Sequence, residues 1–425
     1  MGRSRTDELL VYCLRTNPGG AGAGGVEDLS RTDWEELGRT SALHGTTPLL
    51  YHRLTTSHTG VPIPADVLRS LRNSYLQNAA RNMHLYHELG KVLGRFRENG
   101  IPVIALKGAH LAGAVYGNFA LRPMGDVDLL VRKTDLLRAQ DLLVGLGYAA
   151  SKDDTGCSQL HLPPYRKKGS AAIEVHLNIV SPPFSDRVDV GSLFVRAQAC
   201  VIEGCELWTL CPEDLLLHLC MHASYHHGFD SGVMPLFDIS TVVERYSREL
   251  DWEQVLGRSK EWGVGKCVYL ALSLAERIAG ASIPDRVRVE MEVYRDSFNA
   301  TSLAEELLFE HETRVVQNVA RLSEKKSVGA KLIHLVHYAF PPLATIADMN
   351  PGIKSPFSLC WLYVCRIKGL FARHGRTTWK LLSRDKEVLT LAGMENRRTA
   401  LKDWVVQPYG AHRGIVPPHS GPPSG

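Results

Sequence analysis

At Gly100-Ile101-Pro102 the chain changes its period, and no other feature limits its fold as strongly. Before this point, from Asp7 to about Gly94, apolar residues recur at spacings of three and four: Leu9, Leu10 and Cys13, then Trp34 and Leu37, then Leu68, Leu71, Tyr75, Leu85 and Leu89. Such spacing predicts amphipathic helices, and the glycine-rich stretch from Asn17 to Gly25 separates the first from the next. After the break comes Val103-Ile104-Ala105-Leu106, an apolar run of strand length. The pattern then predicts a helix from Ala109 to Tyr116, a strand from Val127 to Val131, and a helix from Asp135 to Leu146 that Thr134 caps and Gly147 ends. Short strands are expected near Tyr165, over Ala171 to Ile179, and around Ala199 to Leu210, with a hairpin turn at Gly204. From Pro212 the helical spacing resumes to about Lys402, and the Pro/Gly/Ser-rich end from Pro408 onward predicts disorder.

The fold class is therefore α+β: a small mixed sheet core flanked by N- and C-terminal helical regions. The expected boundaries are 1–95 for the first helical region, 96–211 for the core, 212–402 for the second helical region and 403–425 for the tail. Asp33-Trp34-Glu35 recurs as Asp251-Trp252-Glu253, which reads as a shared helix-start pattern rather than a true repeat. With 425 residues, 44% of them hydrophobic, the chain can bury a sizeable core. Its 49 basic and 45 acidic residues leave a net charge of +4, which disfavours a long nucleic acid as partner. Nine scattered cysteines without a C-x-x-C pair speak against a disulfide framework or a thiolate zinc site, and a cytoplasmic location fits them. MGRSRTDELL does not read as a secretory signal, and the run from Phe357 to Ala372 is short and broken by Arg366 and Lys368, so no membrane association is expected. Arg366, Lys368, Arg373, Arg376 and Lys380, interleaved with Trp361, Tyr363, Phe371 and Trp379, predict an amphipathic helical surface.

The residues that carry chemistry lie in the core. In Gly125-Asp126-Val127-Asp128-Leu129-Leu130-Val131, strand alternation turns Asp126 and Asp128 to one face, roughly 7 Å apart, while Val127 and Leu129 enter the core. Two carboxylates aimed at one spot repel unless a cation lies between them, and hard oxygen ligands suit Mg²⁺. Glu174 in Ile173-Glu174-Val175-His176 repeats the pattern 174 − 128 = 46 residues later. If the two strands are neighbours, Asp126, Asp128 and Glu174 form a cluster able to hold two metal ions and meet an incoming hydroxyl, as phosphoryl or nucleotidyl transfer requires. Lys107-Gly108, between strand and helix, offers a point charge and exposed backbone N–H groups to phosphate, and Arg122 offers a bidentate fork.

Together these motifs resemble the polymerase-beta-like nucleotidyltransferase superfamily, and in particular a large group of uncharacterised bacterial nucleotidyltransferase-like proteins. In that group LKG, R-P-x-x-D-h-D-L-L-V and E-V-H occur in this order, as Leu106-Lys107-Gly108, Arg122 to Val131 and Glu174-Val175-His176 do here. The resemblance extends over roughly Trp34 to Leu370, with its specificity in residues 106 to 176. It implies a Mg²⁺-dependent transferase, with two ions, moving a nucleoside monophosphate from an NTP to a hydroxyl-bearing acceptor that is a small molecule, a peptide or a protein. Asp126, Asp128 and Glu174 would hold the metal and catalyse, while Lys107, Gly108 and Arg122 would bind the nucleotide. Two departures from the superfamily stand out. Ala109 follows Gly108 where a glycine or serine is usual, and the gap to Asp126 is long, at 126 − 108 = 18 residues.

Three histidines are candidates for the acceptor site: His218 and His222, one helical turn apart, and His176, on the same strand face as Glu174, which reads equally as a substrate or metal contact and as a hydrogen-bonded structural histidine. The i, i+4 pair also has zinc-like spacing, but no acid follows His218, so a core-facing or cleft-lining helix is the favoured reading. Asp238 interrupts an apolar stripe and reads as a cap or buried hydrogen-bond partner, or as an acceptor-binding acid. A catalytically silent nucleotide- or partner-binding module with the same fold is the alternative to the enzyme.

Overall fold

The structure is a computed structural model, and it describes residues 3–16, 26, 28–57, 61–150, 160–202, 204–295, 299–310 and 386–407. The tail expected to be disordered, the apolar run from Phe357 and the basic-aromatic segment 361–380 lie outside the described residues or almost entirely so. Two compact units divide the chain, Met1–Glu310 with Val405–Gly425, and His311–Trp404. The described part of the second lies within the helix Lys386–Val406, where Arg398 pairs with Glu395 at 2.8 Å.

In the first unit, helices α1 (Arg5–Leu14), α2 (Arg31–Leu43), α3 (Thr47–Thr56) and the 34-residue α4 (Ala65–Glu98) precede the sheet. Ser4 and Ser30 start α1 and α2 with capping boxes closed by Asp7 and Asp33. Asp251, by contrast, is itself the cap of its helix, so the recurring Asp-Trp-Glu occupies different helix positions and is not a shared start pattern.

The sheet has seven strands: β1 (Val103–Ala105), β2 (Asp126–Val131), β3 (Ala149–Ala150), β4 (Tyr165–Arg166), β5 (Ala172–His176), β6 (Gln198–Ile202) and β7 (Cys205–Thr209), in the order β3-β4-β5-β2-β1-β7-β6. The sheet is mixed: β2 runs parallel to β5 and antiparallel to β1, which runs parallel to β7. Gly204, at φ 76°, makes the β6–β7 hairpin, as the sequence predicts. The mixed sheet between helical regions is the architecture expected from the sequence.

Helix positions differ in two places. The helix after β1 begins at Lys107 as α5 (Lys107–His110) and continues as a π-turn over Leu111–Val115. Before α6 (Leu136–Gly145) a 3-10 turn over Lys133–Asp135 takes in Thr134, which therefore does not cap; Gly147, at φ 85°, does end the segment. The chain then forms α7 (Val190–Arg196), α8 (Pro212–Met221), α9 (Met234–Arg245), α10 (Trp252–Glu261), α11 (Gly265–Leu274), α12 (Asp285–Met291) and α13 (Ala300–Phe309).

One sheet face is core. Val127, Leu129 and Val131 of β2 and Ile173 and Val175 of β5 pack with Leu85, Leu89, Val92 and Phe96 of α4 and with Ala139 and Leu143 of α6. Alternation then sends Asp126, Asp128, Glu174 and His176 to the other face, toward the C-terminal helices. No helix among the described residues is long and apolar enough to cross a membrane. Leu129 is fully buried at the centre of this core. Leu129→Ala is expected to cost about 2–5 kcal/mol, read as a lower urea midpoint at unchanged slope; a loss within error would show that β2 does not anchor the core.

Candidate active site

The parallel register sets Asp128 directly opposite Glu174 and Leu130 opposite His176. Asp128 is 3% exposed, and its Oδ1 accepts two hydrogen bonds, from Lys107 Nζ at 2.8 Å and from His176 Nε2 at 2.7 Å. His176 Nε2 also lies 3.6 Å from Glu174 Oε2, while its Nδ1 is buried without a hydrogen-bond partner. Among the described residues, Asp128, Glu174 and His176 form the one group of three such side chains whose ligand atoms all lie within 4.8 Å of one another.

These neighbours set the protonation states. Burial alone would raise the Asp128 carboxyl, but the charge of Lys107 and the hydrogen bond from His176 hold it far below the usual carboxylate range. The His176 ring 3.6 Å away also lowers Glu174, against its burial. Burial opposes the charge on His176, yet its hydrogen bond to Asp128 and the nearby Glu174 carboxylate raise its pKa on balance. Asp126 goes the other way. Burial and the like charges of Asp128 and Glu174 raise it, and the more weakly acting cations Lys107 and Arg122 do not cancel them. Asp126, on the same face but outside that three-ligand group, is thus a carboxylate short of a counter-charge beside a donor set of oxygens and one imidazole nitrogen, and a divalent cation fits such a set.

The turn carrying Lys107 is strained. Lys107 has φ 43°, a left-handed conformation that costs a non-glycine residue about 1–3 kcal/mol. Two bonds hold the turn against that cost: the Leu106 N–H donates to the Asp128 carbonyl at 2.9 Å, and Lys107 Nζ reaches the same residue's carboxylate. At Gly108 an added Cβ would lie 2.7 Å from Arg122 Nη1 and 3.0 Å from Met124 Cγ. The close approach this glycine permits is therefore filled by Arg122 and Met124.

Arg122 does not present a free fork. Its Nε and Nη2 donate to Asp238 on α9 at 3.0–3.3 Å, and its Nη1 donates to the Pro123 carbonyl at 3.0 Å. Tyr116 donates to the same Asp238 carboxylate at 3.0 Å. Asp238 is thus the buried hydrogen-bond partner among its sequence readings. On the other side of the loop, Asn78 and Asn82 of α4 donate to the carbonyls of Ala120, Phe119 and Arg122. Sequence reasoning passed over both asparagines, although two polar amides one turn apart in the helix's buried stripe were a usable signal.

The remaining candidates separate. His176 joins the acids. His218 is buried on α8, donates from Nδ1 to the Ile179 carbonyl at 3.0 Å, and is pushed down to about 3 by burial and by the charges of Lys107 and His176. His222 begins a π-turn over His222–His226, its Nε2 lies 3.1 Å from His227 Nε2, and burial and the charge of Lys107 hold its pKa well below the usual imidazole range. Among the described residues His218 and His222 belong to no three-ligand group, so the zinc-like spacing does not gather a metal site.

The profile of a family described as "Uncharacterised nucleotidyltransferase" matches residues 30–280, more than half of the 425-residue chain. No curated protein sequence matches significantly. Among solved structures, the antibiotic-resistance factor ANT(2'')-Ia aligns at 14% identity and TM-score 0.30, over 44% of this chain and 95% of that one. A nucleotidyltransferase-like protein from Paracoccidioides brasiliensis aligns at 16% identity and TM-score 0.30, over 47% and 94%.

Two outcomes follow from the electrostatics. Asp238→Ala leaves the largely buried Arg122 guanidinium without its carboxylate, with an expected loss of about 3–5 kcal/mol in chemical denaturation; a surface-like loss below about 1 kcal/mol would mean that Arg122 does not need that partner. Because the folded-state pKa of Asp126 is raised, its ionisation removes stability as pH rises through the carboxylate range. Asp126→Asn should therefore raise the melting midpoint of the metal-free protein at pH 7. The gain should vanish below about pH 4, where the aspartate is protonated in both states. Identical midpoints at pH 7 would remove the like-charge argument.

Proposed function

This chain belongs to that nucleotidyltransferase family, and from that premise we propose that it moves a nucleoside monophosphate from an NTP to a hydroxyl of an acceptor, using Mg²⁺, with two ions per site. The observation that carries the reading is the register of β2 on β5, which sets Asp128 against Glu174 with Asp126 on the same face. Asp126, Asp128 and Glu174 would hold the metal, whose chemistry there is to neutralise triphosphate charge and to favour the alkoxide form of the attacking hydroxyl.

The chain's own groups do the rest. Asp128, held ionised, offers carboxylate oxygen at neutral pH without first losing a proton. Lys107 Nζ, now on Asp128, carries the charge that a phosphate oxygen would share, and the Gly108 turn sets its backbone. Arg122, fixed by Asp238, acts as a brace that lends positive potential from behind the turn. Glu174, flanking the position of the incoming hydroxyl, accepts its proton while the hydroxyl attacks the α-phosphorus in line and pyrophosphate leaves. The buried faces of α8 and α9, with His218 and His222 kept neutral, supply walls for an acceptor that is a small molecule, a peptide or a protein. The reading includes the core boundaries 96–211 and a cytoplasmic location, which the free cysteines Cys13, Cys200, Cys211, Cys220 and Cys267 support.

The test is transfer of label from α-labelled NTPs to acceptors in a lysate with Mg²⁺ present. Asp126→Ala and Asp128→Ala should each lower the rate at least about 100-fold. Nucleotide binding without transfer, unchanged in both variants, would sink the enzyme and leave the silent binding module.

A further inference from the structure

The third acid of this site is followed two residues later by an imidazole on the same strand face, and the strand pairing brings that imidazole among the carboxylates. His176 Nε2 is 2.7 Å from Asp128 Oδ1 and 3.6 Å from Glu174 Oε2. Ligands about one ion at bond lengths near 2.1 Å stand roughly 3.0 Å apart in an octahedron and roughly 3.4 Å apart in a tetrahedron. The two spacings bracket those values, and the three ligand atoms all lie within 4.8 Å of one another, so side-chain shifts without movement of the strands bring them about one ion. His176 is 2% exposed, and its ring is confined between β2 and the segment bearing His161, whose ring centroid lies 5.2 Å away. Its Nε2 is therefore kept aimed at the carboxylates.

We propose that His176 is itself a metal ligand, through Nε2, so that the site formed with Asp128 and Glu174 selects a first-row transition ion such as Mn²⁺, which accepts a nitrogen among oxygen ligands, over Mg²⁺. The inference rests on the reading of the acid cluster as a metal site, and it adds to that reading a nitrogen donor and replaces Mg²⁺ by Mn²⁺ at the position that His176 shares. Imidazole is a poor ligand for Mg²⁺, which takes oxygen and keeps its water, whereas first-row transition ions accept mixed nitrogen and oxygen sets. The exchange balances: the ion replaces the Nε2 proton now shared with Asp128, that proton passes to solvent, and the neutral ring keeps its other proton on Nδ1. Lys107 remains the competing cation on Asp128 Oδ1, at 2.8 Å.

The experiment titrates Mn²⁺ into the full-length protein without nucleotide, follows binding by electron paramagnetic resonance, and looks for nitrogen modulation of the bound ion. The expected result is stoichiometric Mn²⁺ with imidazole-nitrogen coupling, displaced by Mg²⁺ only at concentrations on the order of tenfold higher or more. The coupling should persist in His161→Gln and disappear in His176→Gln. Mn²⁺ bound without nitrogen coupling in the wild-type protein would overturn the proposal while leaving the carboxylate metal site standing, whether or not the variants fold. No Mn²⁺ binding at all would remove the metal site and this inference together. Persistence of the coupling in a folded His176→Gln protein would assign the nitrogen elsewhere and also overturn it.

Discussion

A carboxylate removed from water costs several kcal/mol unless charge and hydrogen bonds replace the solvent, and most of this core is arranged around meeting that cost at Asp128. Two donors converge on one of its oxygens, Lys107 Nζ and His176 Nε2, and its backbone carbonyl takes the Leu106 N–H. Each donor comes from a different strand end, so the ends of β1 and β5 must both sit correctly about β2. The left-handed turn at Lys107 is understandable in these terms. A strained backbone persists where its surroundings over-determine it, and the ammonium bound to Asp128 is part of that surrounding.

The acid strand is also tied to helices that the sequence presents as mere flanks. Asn78 and Asn82 fasten the loop before β2 to α4, and Arg122 fastens it to Asp238 of α9. In the pair Arg122–Asp238 the carboxylate is buried and the guanidinium largely so, and the pair stabilises chiefly by leaving neither charge alone. Its structural effect is to link the start of β2, where Asp126 stands, to the C-terminal helices. The helical regions thus help to set the geometry of the acidic face, and Asp126 keeps its excess negative charge inside an otherwise compensated network. Such a locally unfavourable group is what a candidate functional site that trades stability for activity would contain.

Much of the core was legible from local pattern. Alternation in Asp126 to Val131 and in Ile173 to His176 assigned faces correctly, because a strand's period of two is a property of its backbone. The Gly204 hairpin and the end of α6 at Gly147 were readable for a similar reason: both need a positive φ that glycine adopts without cost. Thr134 misled because a 3-10 turn, which no local residue announces, displaced the helix start. Arg122 was legible as a useful charge but not as an engaged one, since its partner is 116 residues away. The same holds for His176, legible as sharing the strand face of Glu174 but not as the donor to Asp128 that the register makes it.

The sequence by itself determined which residues share a strand face, where the turns fall, and that three acids and a histidine occupy two strands. These follow from the chirality and period of the backbone. Only the tertiary structure decided that β2 and β5 are parallel neighbours, that Lys107 and His176 share one oxygen of Asp128, and that Arg122 is committed to Asp238. Those outcomes depend on strand order and on burial, which bring together groups tens of residues apart and make their mutual electrostatics strong enough to set each one's charge.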